Sequence, residues 1–168
     1  MEESLVGRTD VVGQTVNAAG EQKNQDSLSE RIQEAFPGKR QMLESYSPLT
    51  LAYIGDAIYD LVIRTVVVGR ANRPANILHH ITVKYVSAGA QARIVTALQE
   101  RFTQEEQEVY RRGKNAKPHT TAKNASPGDY RKATGFEAVL GWLYLKNEME
   151  RVLELVREGI SAAGLEKL

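Results

Sequence analysis

Asp56 and Glu137 are the residues of this chain whose types and settings could do chemistry. Asp56 sits in Leu51-Ala-Tyr-Ile-Gly-Asp-Ala-Ile-Tyr-Asp60, and Glu137 sits 81 positions later in Thr134-Gly-Phe-Glu-Ala-Val-Leu-Gly-Trp-Leu-Tyr-Leu145. Each is a carboxylate set into a nearly apolar, helix-like run, and an ionised carboxylate in apolar surroundings is costly unless it has a partner. A shared divalent cation would satisfy both. A bound divalent ion such as Mg²⁺ can activate a water and neutralise charge that builds on a substrate's oxygens. A few carboxylates hold that ion, with waters and substrate oxygens completing its octahedron. One Asp and one Glu from separate helices form a minimal cage of this kind.

The two carboxylates differ in how easily another reading accounts for them. Asp56, Asp60 and Arg64 stand at i, i+4 and i+8 and share one stripe of a helix. Arg64 can pair with Asp60, which leaves Asp56 without a partner, yet the whole stripe also reads as a solvent face. Glu137 is harder to explain that way. Phe136, Val139, Leu140, Trp142, Leu143 and Leu145 surround it, and its own row holds Ala133, Thr134, Gly141 and Tyr144. A lone Glu there should be paired, protonated or metal-bound.

The elements that must position these groups read as helices. Pro48 to Val68 forms the first long one, ended by Gly69; its Thr65-Val-Val-Val68 stretch favours strand locally but continues a helical pattern. Pro74 opens a helix to about Tyr85, Ser87 caps one to about Arg101, and Thr103-Gln-Glu-Glu106 is a capping box for one that Gly113 closes. Lys114 to Ala125 is then a polar, basic loop. Ser126-Pro127 starts a helix through Asn147, and a last one runs from Glu148 or Met149 to Ala163. No segment alternates convincingly over five or more residues, so the fold class is all-α. Residues 1 to about 28 lack a sustained apolar period and read as a flexible tail, with a short helix over Leu28 to Phe36 before Pro37-Gly38.

With 168 residues the chain is long enough for one domain with a real core. It has no Cys, which excludes a disulfide scaffold and thiolate metal sites and suits a reducing cytosol. No run of 18 apolar residues and no basic-then-apolar start occurs, so the chain is expected to be neither membrane-spanning nor exported. The net charge of +1 hides an asymmetry. Residues 1–47 carry 5 Lys/Arg against 8 Asp/Glu, and residues 48–168 carry 17 against 13. Between Tyr110 and Lys132 lie Arg111, Arg112, Lys114, Lys117, Lys123, Arg131 and Lys132 against Asp129 alone, a net +6 in 23 residues. That is a plausible phosphate-facing surface, or else a solvated basic loop.

Other residue types carry less. Adjacent His79 and His80 point about 100° apart on a helix and cannot chelate one ion as an i, i+4 pair could; one buried and one exposed is expected. His119 could touch phosphate from the basic loop. Tyr53, Tyr59 and Tyr144 sit at helical spacing in apolar context and are expected in the core. Neither a nucleophile elbow, nor a Walker-type loop, nor a dinucleotide fingerprint is present.

Tyr53-Ile54-Gly55-Asp56-Ala57 resembles the Phe-Leu-Gly-Asp-Ala core of the ribonuclease III signature. Phe136-Glu137-Ala138, before an aromatic-rich helix, resembles that family's second acidic motif. Arg112-Gly-Lys-Asn-Ala-Lys117, with Thr120-Thr121 and Lys123-Asn124, is similar to its compact bacterial branch, Mini-ribonuclease III, which has the nuclease domain without a double-stranded-RNA-binding domain. The resemblance runs from about Ser47 to about Ile160. It implies a ribonuclease III-type helical endonuclease domain over 46–165 behind an extension over 1–45. It also implies Mg²⁺ as cofactor, double-stranded RNA as substrate, a cytoplasmic homodimer, and maturation of the large-subunit (23S) ribosomal RNA precursor. By the same resemblance Asp56 is the metal ligand that orients the attacking water, and Glu137 is the second ligand. Without an appended module, Arg111, Arg112, Lys114, Lys117, Lys123, Arg131 and Lys132 would have to grip the duplex, whose A-form is read mainly by shape. The larger enzymes of the family carry further acids where this chain has Leu49, Ala52 and Thr134. Their absence matches the reduced pattern of the compact branch, and it also leaves room for a non-catalytic RNA-binding or ribosome-assembly module that keeps the fold.

Overall fold

The computed structural model describes residues 26–117, 125–165 and 168. Among them are seven α-helices: α1 (Leu28–Ala35), α2 (Pro48–Arg70), α3 (Ala75–Val86), α4 (Ala88–Leu98), α5 (Gln104–Asn115), α6 (Pro127–Leu145) and α7 (Met149–Ala162). Single 3₁₀ turns cover Leu43–Ser45 and Gln99–Arg101, and the described residues contain no strand. Residues 1–25, where the sequence predicts a flexible tail, lie outside the described residues, as do His119 and Lys123.

Local chemistry starts the helices where the sequence says it should. Ser47 and Ser126 each accept a hydrogen bond from the backbone N–H three residues on, and Pro48 and Pro127 occupy the first turn. Proline fits there because its missing N–H would have no partner inside the helix anyway. Thr103 and Glu106 close a reciprocal capping box at α5, and Ser27 and Glu30 do the same at α1. The last turns of α6 and α7 end alike. Asn147 and Gly164 take positive φ (65° and 66°), and Glu148 N–H and Leu165 N–H reach back to Leu143 O and Ile160 O. The orphan carbonyls at both C-termini are thereby satisfied. Asn147 also accepts from Ser27 Oγ at 2.7 Å and donates to Glu30 Oε1 at 3.2 Å, which fastens the start of α1 to the α6–α7 turn.

α6 is the axis of the molecule, packed between α2, α4 and α5. From Ala133 to Tyr144 it is buried nearly all round, the condition for a helix that is apolar on every face. Phe136 is fully buried and meets Tyr59 edge-on at 5.6 Å. Tyr59 in turn donates its hydroxyl proton to Tyr85 O at 2.8 Å. Residues 65–68 stay helical within α2: only Val67 of that stretch is core, and tertiary packing overrides the local β preference.

Four expectations fail, three of them because burial and close approach depend on which neighbour covers a face. Tyr53 is 81% exposed. The core face of α2 is Leu51, Ala52, Gly55, Ile58, Tyr59, Ile63 and Val67, and Tyr53 falls on the outward stripe with Asp56. His79 and His80 are both exposed, because α3 buries only the row of Thr82 and Tyr85. Gly69 does not end α2, which runs to Arg70. Gly113 does not end α5 either: the helix continues to Asn115, so the basic segment begins as helix rather than loop. A Cβ on Gly113 would sit 2.8 Å from Ala138 Cβ and 3.0 Å from Gly135 Cα. The residue is glycine to let α5 and α6 approach.

Candidate active site

Two glycines bring α2 and α6 together backbone to backbone. A Cβ on Gly55 would lie 1.7 Å from the carbonyl oxygen of Glu137, and one on Gly141 would lie 2.0 Å from that of Leu51. No side chain larger than hydrogen fits at either point. Asp56 follows Gly55 directly and Glu137 is itself the contact residue, so the crossing that builds the core also delivers both carboxylates to one place. They line a common cleft of about 440 Å³ at the edge of that crossing. Asp60, one turn further along, pairs with Arg64 as the stripe predicts.

The cleft explains the thinness of the acidic pattern. Leu49, Ala52 and Thr134, the positions where larger family members carry acids, line this same cleft. Here they supply two apolar walls and a hydroxyl that donates to Tyr130 O, one turn back on the same helix, at 2.9 Å. Among the described residues no group of three or more His, Cys, Asp or Glu is gathered anywhere, and no Lys or Arg lines the cleft.

The electrostatics of the pair are unequal. Glu137 is raised from 4.5 to about 8, first by burial and then by the negative charge of Asp56, with a hydrogen bond from Gln91 working the other way. Asp56 is more exposed and is raised above the usual Asp value, first by what burial it has and then by Asp60. A buried Glu whose charge Asp56 disfavours, in a cleft that no described Lys or Arg lines, is an arrangement that a cation would relieve. Oxygen donors alone, hard and negatively charged, suit Mg²⁺ rather than a soft metal.

The basic residues are divided by the structure. Arg111, Arg112 and Lys114 lie on the last two turns of α5, and Lys117 follows it. Arg131, on the first turns of α6, donates to Lys114 O at 3.0 Å and to Asn115 Oδ1 at 2.9 Å, which joins these residues into one corner. Arg111 is held by Glu108 through two hydrogen bonds, of 2.7 and 3.0 Å. Lys132 turns the other way and donates to Thr96 Oγ1 on α4 at 3.1 Å. It lines an open groove with Lys84 and Arg93, two cations that the sequence reading passed over. Arg131 is six residues from Glu137, about 9 Å along the helix axis.

Gln91 is the other residue that sequence reasoning missed. It lies on the core face of α4, 2% exposed, and its Nε2 donates to Glu137 Oε1 at 2.9 Å and to Val86 O at 3.1 Å. A signal was there: a lone amide sharing a helix row with Ile94, Val95 and Leu98.

A helical domain with an acidic cleft at a glycine-mediated crossing defines a class. The ribonuclease III domain pattern matches residues 49–148, and the chain belongs to the ribonuclease III family, in its Mini-ribonuclease 3 branch. A Thermoanaerobacter Mini-ribonuclease 3 is 51% identical over 112 residues, covering 67% of this chain and 79% of that protein. The Clostridium tetani Mini-ribonuclease 3 is 46% identical over 119 residues (70% and 79%), and that of Enterococcus faecalis 47% over 118 (69% and 89%). A crystallised Fusobacterium nucleatum protein superposes with a TM-score of 0.66 at 27% identity, over 73% of this chain and 98% of that one.

Proposed function

We propose that this chain is an endoribonuclease that cuts double-stranded RNA by Mg²⁺-dependent hydrolysis, with Asp56 and Glu137 as the residues that hold the ion. Endonucleolytic cleavage of RNA duplexes is the activity of the family to which the chain belongs. The observation that carries the rest is the convergence of Asp56 and Glu137, from distant segments, on one cleft without a described cationic lining. When bound, Mg²⁺ supplies a Lewis acid for the phosphate and a water of lowered pKa.

The protein's own residues divide the work. Asp56, at the open side, accepts a hydrogen bond from the attacking water and fixes its direction. Glu137, held from the core side by Gln91, is the less mobile of the two anions. Arg111, Arg112, Lys114, Lys117, Lys123, Arg131 and Lys132 hold the phosphates on either side of the scissile bond. Arg111 and Arg131 must exchange intramolecular partners to do so, which lowers their individual worth. One chain carries one such centre, and a duplex has two strands. A homodimer that presents two centres meets that need, and the large-subunit (23S) ribosomal RNA precursor is the substrate we assign.

The opposite reading, a binding module without chemistry, is favoured by Leu49, Ala52 and Thr134 in the cleft. Purified protein incubated with a duplex from the precursor, in Mg²⁺ or in chelator, separates the two. The enzyme cleaves with Mg²⁺, stops in chelator, and is inactive as Asp56→Asn. A module retains the duplex in both and cuts it in neither.

A further inference from the structure

We infer that Gln91 is a positioning residue for the reaction: its buried amide nitrogen clamps one oxygen of Glu137 to the α3–α4 junction and so fixes which oxygen faces the cleft. The inference rests on the metal-site reading above and extends it to a residue outside the acidic motifs.

Three features of the geometry carry it. First, the orientation of the amide is determined by its surroundings. Nε2 lies between two oxygens, Val86 O and Glu137 Oε1, and the Val86 carbonyl can only accept. The opposite flip would set Oε1 of Gln91 against that carbonyl. Second, Glu137 Oε1 is thereby committed to a donor in the core, and Oε2 carries no protein hydrogen bond among the described residues. Oε2 is the oxygen left for a ligand in the cleft that Glu137 lines. Third, the amide is matched on one side only. Gln91 is 2% exposed, with Ala90, Ala92, Ile94 and Val95 buried around it. Its own Oε1 is a buried acceptor with no hydrogen-bond partner among the described residues, a cost that the two bonds made by Nε2 must offset. A residue that is expensive in the core and bonds the candidate ligand directly is better accounted for by what it does to that ligand. Carboxylates at metal sites are commonly fixed this way by a hydrogen bond from outside the coordination sphere.

The tie also crosses the molecule. Val86 ends α3 and Ser87 caps α4, so the amide links Glu137 to the segment that carries Lys84 and Arg93.

The test is Mn²⁺ titration, followed by electron paramagnetic resonance without RNA, of wild type, Gln91→Met and Gln91→Asn. Met keeps the volume and removes the donor. Asn keeps the amide but is one methylene too short to span both acceptors, and it serves where Met fails to fold. Both variants should bind Mn²⁺ about 10–100-fold more weakly, the range for lost outer-sphere partners. In cleavage, kcat should fall while KM for RNA holds. On a Glu137→Gln background, Gln91→Met should add no further loss, because residues that act through one another are not additive. A purely structural Gln91 lowers melting temperature but leaves Mn²⁺ affinity unchanged, and that result overturns the inference alone. Absence of Mn²⁺ binding in the wild type overturns the metal reading and this inference with it.

Discussion

The α2–α6 crossing and the cationic corner where α5 meets α6 solve opposite problems with opposite materials. At the crossing, Gly55 and Gly141 let two backbones touch, and the two candidate carboxylates are placed by main-chain atoms that cannot rotate away. At the corner, Arg111, Arg112 and Lys117 stand in solvent on long flexible stems, and Arg111 is held there by the exposed Glu108. Exposed pairs contribute little, about 0–1 kcal/mol each. Catalysis depends on sub-ångström placement, whereas holding a polyanion needs only enough positive charge within reach. The crossing should therefore be intolerant of single changes, and the corner should yield gradually.

The largest effect is expected from the carboxylates. Asp56→Asn and Glu137→Gln keep shape and remove charge, and each should slow single-turnover cleavage of duplex RNA by about a thousandfold or more, about 4 kcal/mol of barrier. Retained activity in either would separate the crossing from the chemistry.

Next comes the crossing itself. Gly55→Ala forces a methyl onto a carbonyl that belongs to a packed helix, and overpacking of this kind costs about 1–3 kcal/mol or more. At about 2–4 °C per kcal/mol, melting should drop by about 2–12 °C, and cleavage should fall beyond what the lost folded fraction explains. Gly69→Ala is the control within the same helix. Its Cβ meets nothing within 4 Å, so removing a helical glycine there should leave stability level or raise it by up to about 1 kcal/mol. Equal losses for the two would refute the backbone-contact account.

The pH dependence follows from the raised carboxyls. Glu137 titrates near 8 in the folded protein against 4.5 when free, so its contribution to stability is fully present below 4.5 and is lost as pH rises through 8. Asp56 shifts in the same direction. Metal-free protein should melt at a higher temperature at pH 5.5 than at pH 8.5 as far as this pair contributes. A cation competes with the proton, so its affinity should weaken as pH falls below about 8, by up to about tenfold per unit. The Asp56→Asn, Glu137→Gln double variant should flatten both trends.

The smallest single effects belong to the corner. Arg111→Ala alone should barely change cleavage. Replacing Arg111, Arg112, Lys114 and Lys117 together should weaken binding to duplexes of any sequence and reduce the slope of log affinity against log salt, by about 0.7–0.9 per lost phosphate contact. Cleavage at saturating RNA should change far less. Parallel salt titrations would remove these residues from the RNA surface and leave the Lys84, Arg93 and Lys132 groove as the candidate.

What was legible in the sequence was local. Ser47-Pro48, Ser126-Pro127 and the Thr103/Glu106 box each bring their own hydrogen-bond partner within three residues, so helix starts could be read without knowing the fold. Asp56 and Glu137 were legible because a charge in an apolar run is anomalous whatever surrounds it. Tyr53, His79, His80 and Gly113 were not, since burial and close approach depend on neighbours far away in the chain. The Gln91–Glu137 bond spans 46 positions, and only the packing of α4 on α6 brings it about.

The central claim is that one site is shared by two carboxylates from two helices. The most direct measurement is Mn²⁺ binding at pH 8 to wild type, Asp56→Asn and Glu137→Gln, with circular dichroism to establish that all three are folded. The account predicts that each substitution alone weakens binding by at least about tenfold, on the scale of metal sites that lose a charged ligand or its support. A folded variant of either residue that binds Mn²⁺ as tightly as wild type would contradict it.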